Sequence, residues 1–130
     1  MGEKMGEQII FHYSNAFMKE WKKLGLTEVD QEYMEKLLQN FFTERENHVG
    51  KSFLGDLIQG TGGAIKWRFS PEKVPHGKSG SARIIYLILV ENQYFFLDVF
   101  SKSKQENLSD SEKKEIKKLI HRLKYNQKRE

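Results

Sequence analysis

Apolar and polar positions along this chain change their period midway. Gln8–Tyr13 is a short β-branched and aromatic run and predicts a first strand. Ser14 is placed to cap a helix that carries Phe17, Trp21 and Leu24 on one face, and Gly25 ends it. Thr27 is placed to cap a second helix. Its apolar stripe is Val29, Tyr33, Leu37, Leu38 and Phe41, widened by Phe42, and its polar face is Glu28, Asp30, Glu32, Glu35 and Lys36. Beyond the 44–51 loop the period falls to that of a strand. Gly60–Gly63 leads into a run with Ile65, Trp67 and Phe69 on one face and Lys66 and Arg68 on the other. Trp67 thereby reads as core rather than as a platform for a stacked base.

The stretch 70–80 holds both prolines and reads as a long hairpin loop. Residues 81–90 form an almost continuous apolar strand, interrupted by Arg83. Glu91-Asn92 is a turn signal, and the apolar continuity of 94–100 places the next strand inside the sheet. A polar connection, 102–108, leads to the capping box Ser109-Asp-Ser-Glu112. Ile116, Leu119, Ile120 and Leu123 mark a last amphipathic helix, acidic at its start and basic after, as its dipole favours. The predicted order is β-α-α-β-β-β-α. This is one α+β domain over 1–130, a small antiparallel sheet with two N-terminal helices and one C-terminal helix, and flexible ends at about 1–7 and 126–130.

Composition narrows the chemistry. A chain of 130 residues fits one domain, and with no cysteine it has no disulfide, thiolate zinc site or cysteine nucleophile. Its apolar runs are too short to span a bilayer, and no apolar segment follows Met1-Gly-Glu-Lys as a signal peptide requires, so the expected location is cytoplasmic, away from membranes. The net charge of +4 is polarised: residues 1–60 carry −3 and residues 61–130 carry +7. Such a surface suits a polyanion, and equally an ordinary solvated face.

His12, His48, His76 and His121 share no ligand spacing, so neither a metal nor another cofactor is expected. Gly77-Lys78-Ser79 resembles the end of a phosphate loop, but position 72 is Glu where the first glycine belongs, and a strand follows instead of a helix. Gly60-Thr-Gly-Gly63 has Ile65 where the dinucleotide fingerprint needs its third glycine. The sheet half holds few carboxylates, Asp98 and Glu91 among them, which argues against a carboxylate-driven hydrolase. What remains is cationic. Lys66 and Arg68 share a strand face; pairing of 64–69 with 82–90 brings Arg83 near Arg68; Lys102 lies beyond the next strand. Cations without carboxylates nearby in sequence suit a phosphate. The plainer alternative is a solvated sheet face with Arg83 paired to Asp98 or Glu91.

Several short motifs occur in order: Leu57-Ile-Gln-Gly-Thr-Gly-Gly63, Lys66-Trp-Arg68, Gly77-Lys-Ser-Gly80, Ala82-Arg-Ile-Ile-Tyr86, Phe100-Ser-Lys102 and Asn107-Leu-Ser109 before a basic helix. Together, over about 53–124, they resemble the HigB branch of the RelE/ParE toxin superfamily. The resemblance implies a ribosome-dependent messenger RNA endonuclease of a type II toxin-antitoxin system that inhibits translation without a metal. In such toxins a ribose 2′-hydroxyl attacks the adjacent phosphate. It also implies catalytic positions at Lys66, Arg68, Arg83 and Lys102, RNA contacts from Lys73, Lys78 and Lys104, and as partners the ribosome, its mRNA and a cognate antitoxin of helix-turn-helix type.

Three positions depart from the family pattern. Ile65 stands where a further basic residue is common, Ser81 replaces a glycine, and Phe100 stands where a tyrosine is usual. Phenylalanine exchanges no proton. Three rival readings therefore stand beside the nuclease: a same-fold RNA- or ribosome-binding protein with weak or no cleavage, a ParE-like gyrase inhibitor, and a plain interaction module.

Overall fold

Each α-helix begins where a side chain takes over a backbone donor that the first turn leaves without an intrahelical partner. Ser14 Oγ accepts from Phe17 N at 3.0 Å and starts α1, Asn15–Lys23. Thr27 and Asp30 form a reciprocal capping box at the head of α2, Glu28–Thr43. Ser109 and Glu112 form another at the head of α3, Asp110–Lys128, with bonds of 2.8 and 3.1 Å. Gly25, at φ +82, supplies the left-handed residue that closes α1. The helix α3 continues past residue 126 and stays helical to Lys128.

The computed structural model describes residues 7–71, 81–102, 105 and 107–128. The strands are β1 (Ile10–Tyr13), β2 (Asp56–Leu57), β3 (Ile65–Phe69), β4 (Ala82–Leu89) and β5 (Gln93–Ser101), and they form one sheet in the order β1-β5-β4-β3-β2. The domain is α+β, as its element order implies. Two features of the sheet lie beyond the sequence pattern. The two-residue β2 is a fifth strand, paired with β3 through Asp56↔Lys66 and Leu57↔Ile65. And β1 runs parallel to β5, with Ile10↔Gln93 through Tyr13↔Phe96, so that the sheet is antiparallel except at this edge. β5, flanked by β1 and β4, is interior as its apolar run predicts.

Helices cover both faces of the sheet. On one, α1 and α2 deliver Phe17, Trp21, Met34, Leu38 and Phe42 onto Trp67, Phe69, Ile84, Tyr86, Tyr94 and Phe96. On the other, α3 delivers Ile116 and Ile120 onto Ala64, Ile85, Leu87, Leu89 and Phe100. Trp67 is indeed core, 8% exposed. The stripe of α2 is rotated from the predicted one. Val29 is 69% exposed, while Met34 is fully buried. Met34, Leu38 and Phe42 repeat every four residues and run along the side that faces the sheet; Val29, in the first turn, falls off that line.

Two local devices set the sheet's shape. In β5 the register passes from Tyr86↔Phe96 to Ile85↔Asp98, so Leu97 is an extra residue, a β-bulge. The bulge lets Phe96 and Val99 both face the α1/α2 core and returns Asp98 and Phe100 to the α3 side. Gly55, at φ +107, lies against β3. A Cβ there would come 2.5 Å from the Lys66 carbonyl oxygen, so only glycine permits this approach. The β4–β5 turn sits at Val90 and Glu91, both with positive φ (50 and 65), one residue earlier than Glu91-Asn92 predicts.

Candidate active site

The alternation of β3 and the register of its neighbours assemble a row of polar side chains on the α3 face. Arg68 lies directly opposite Arg83, and Arg83 lies opposite Phe100. One step along, Lys66 lies opposite Ile85, which lies opposite Asp98. Residues directly opposite on paired strands share a face, so Lys66, Arg68, Arg83, Asp98 and Phe100 belong to one surface. The expected approach of Arg83 to Arg68 is met in full.

The cations differ in exposure. Arg83 is 1% exposed, among the largest fully buried side chains, and its Nη1 donates to Ser81 Oγ at 2.6 Å. Ser81 thus contributes a hydrogen-bond acceptor at a position where the sequence resemblance leads one to expect glycine. Arg68 is exposed and Lys66 half-buried. The Lys66 ammonium donates to Asn107 Oδ1 at 2.5 Å, across 41 residues of sequence. Asn107 directly precedes Leu108, which is buried in the α3 core, and Ser109, the cap of α3. Gln105 Nε2 donates both to the Asn107 carbonyl (2.9 Å) and to Glu112 Oε1 (3.0 Å), so the segment entering α3 is tied to the helix it starts. Asp98 accepts from the adjacent Val99 N at 2.9 Å.

Of the other expected site residues, Lys102 is exposed and lies one residue past β5. Lys73, Lys78 and Lys104, expected to contact RNA, lie outside the described residues, as does most of the 70–80 loop. Phe100 is 5% exposed and packs in the α3 cluster with Leu108 and Ile116. It forms part of the apolar bed beside the cations.

Sequence reasoning gave Asn107 no role. The signal was its place just before a capping box, where the chain must return to the sheet. The tyrosines pushed up by burial lie on the opposite face: Tyr94 to about 12, and Tyr13 and Tyr86 further still, Tyr13 also through its hydrogen bond to Glu35. Among the described residues no group of three or more histidine or carboxylate side chains is placed to hold a metal ion, and no helix is long and apolar enough to cross a membrane.

Residues 54–130 match the model of the family described as the RelE toxin of the RelE/RelB toxin-antitoxin system. The match spans β2 to the C-terminal end, over half the chain, and includes every residue of the cationic row. This protein belongs to the RelE toxin family, whose members are paired with antitoxins. No curated protein matches the chain.

Proposed function

We propose that this toxin is a HigB-like messenger RNA endonuclease that cuts translated transcripts on the ribosome and thereby arrests translation. The observation that carries the reading is the register Arg68↔Arg83 with Lys66 two residues along the same face. In-line attack of a ribose 2′-hydroxyl adds negative charge to the phosphate as the new P–O bond forms and the 5′-oxygen leaves. Arg68 and Arg83 stabilise that charge, and Lys66 and Lys102 serve the proton transfers. The partners are mRNA, the ribosome and a helix-turn-helix antitoxin, and the site of action is the cytoplasm. Induced expression of the toxin alone is expected to stop growth and to leave cuts within translated codons, mapped by primer extension on abundant transcripts. Growth arrest with intact transcripts would overturn the reading.

A second reading has its own support. The buried Phe100 brings no hydroxyl to the row, which favours an RNA- or ribosome-binding relative that cuts slowly or not at all. Strong ribosome binding without cleavage is its signature.

A further inference from the structure

We infer that Asn107 is the positioning residue of the candidate site: it holds the Lys66 ammonium in place over the cationic row. The inference rests on the endonuclease reading and adds to it a residue that takes part through Lys66. A lysine carries a compact charge on a flexible four-carbon stem, so a lysine that acts on a proton has to be aimed. Here the aim comes from the segment entering α3. Lys66 Nζ lies 2.5 Å from Asn107 Oδ1.

Asn107 is itself fixed on both sides. Leu108 is buried beneath α3, and Gln105 Nε2 bonds the Asn107 carbonyl and the Glu112 carboxylate. Glu112 Oε1 also accepts from Ser109 N at 2.8 Å, which closes the loop onto the helix. The position of Lys66 is thereby referred to α3 as well as to its own strand.

The choice of a neutral acceptor fits the chemistry. An amide oxygen orients an ammonium without bringing a net charge to the site. A carboxylate in its place would favour the protonated lysine and repel an incoming phosphate. Among the described residues, the charged groups on or beside this surface include Arg68 on β3, Arg83 on β4, Asp98 on β5, Lys102 just past it, and Glu112 in the first turn of α3.

The test measures cleavage of a defined transcript in a translating extract, over a pH series, with the full-length toxin. Asn107→Ala is expected to lower the maximal rate by ~10-fold or more through lost orientation. Asn107→Asp is expected to move the rising limb of the pH–rate profile to higher pH, a displacement that a structural role alone would not produce. In a Lys66→Ala background, Asn107→Ala is expected to add nothing. An Asn107→Ala protein with the wild-type rate overturns the inference, and so does an equal loss with and without Lys66. An Asn107→Asp protein with an unmoved profile overturns it too. A folded wild-type toxin that cuts nothing overturns the endonuclease reading and this inference with it. Asn107 is exposed, so these variants are expected to keep the wild-type melting temperature.

Discussion

The two faces of the sheet are built for different work. Under α1 and α2 lies a deep aromatic core: Phe17 stacks on Trp21 at 5.8 Å, Trp21 on Phe69 at 5.9 Å, and Tyr13 on Phe96 at 4.8 Å. Under α3 the apolar bed is smaller and mostly aliphatic, and the sheet beside it carries the cations. One face thus concentrates burial, which stabilises the fold, and the other carries the charged side chains. A single sheet carries both because alternation sends neighbouring residues of β3 to opposite sides: Trp67 to one, Lys66 and Arg68 to the other.

Substitutions that treat the faces differently test this division. Trp21, 1% exposed with its Nε1 bonded to the Thr27 carbonyl, is the sharpest probe of the aromatic side. Trp21→Ala is expected to cost about 3–5 kcal/mol in urea unfolding. A loss under 1 kcal/mol would show that the aromatic side does not carry the fold. Arg83→Ala probes the other face. Loss of one donor to the developing phosphate charge is expected to slow cleavage by ~10²–10³-fold. Because Arg83 is buried, the melt is measured beside the rate, and the fall in rate has to exceed the fall in folded fraction. Undiminished growth arrest by Lys66→Ala, Arg68→Ala and Arg83→Ala proteins would remove the row from the mechanism.

Phe100 lies where the faces' roles meet, opposite Arg83 and within the α3 cluster. Phe100→Tyr sets a hydroxyl among Leu108 and Ile116, and is expected to destabilise by about 1–3 kcal/mol where that hydroxyl finds no partner. Unchanged stability with faster cleavage would place the ring edge in the site. The smallest effect is expected from pH. Tyr94 is held up to about 12 by burial, above its ordinary value of 10. A raised folded value means that the folded state keeps the proton longer than the unfolded one. This contribution is therefore whole below pH 10 and is lost as pH rises from 10 through about 12. Unfolding followed across that window is expected to show a shallower decline for Tyr94→Phe than for the wild type. Equal slopes would discount Tyr94 as a contributor.

Much of this arrangement was legible in local sequence. The caps at Ser14, Thr27 and Ser109 are side-chain chemistry within a few residues of the helix they start, and the alternation of 65–69 states the two faces outright. The opposition of Arg68 and Arg83 followed from a single hairpin pairing. What was missed is non-local or marginal. β2 is two residues long, too short for periodicity to register. The parallel pairing of β1 joins segments far apart in sequence, and no turn chemistry announces it. Val29 and Met34 differ by less than half a turn around α2, and only the sheet beneath decides which one is buried. Asn107 was visible as a residue, but its bond to Lys66 spans 41 positions.

The pairing of β1 with β5 also governs when the molecule becomes whole. Ile10 is made well before its partner Gln93, with α1, α2 and three strands between them. Contacts so distant form slowly, because a long loop has to close before they contribute. During synthesis β1, α1 and α2 therefore wait without their sheet. The cations of β3 and β4 emerge before β5 and before Asn107, which comes with the approach to α3. A chain stopped at β4 carries charge without a finished scaffold. The order of synthesis itself thus acts as a delay: the scaffold around the cationic row is complete only once β5 and the approach to α3 have been made.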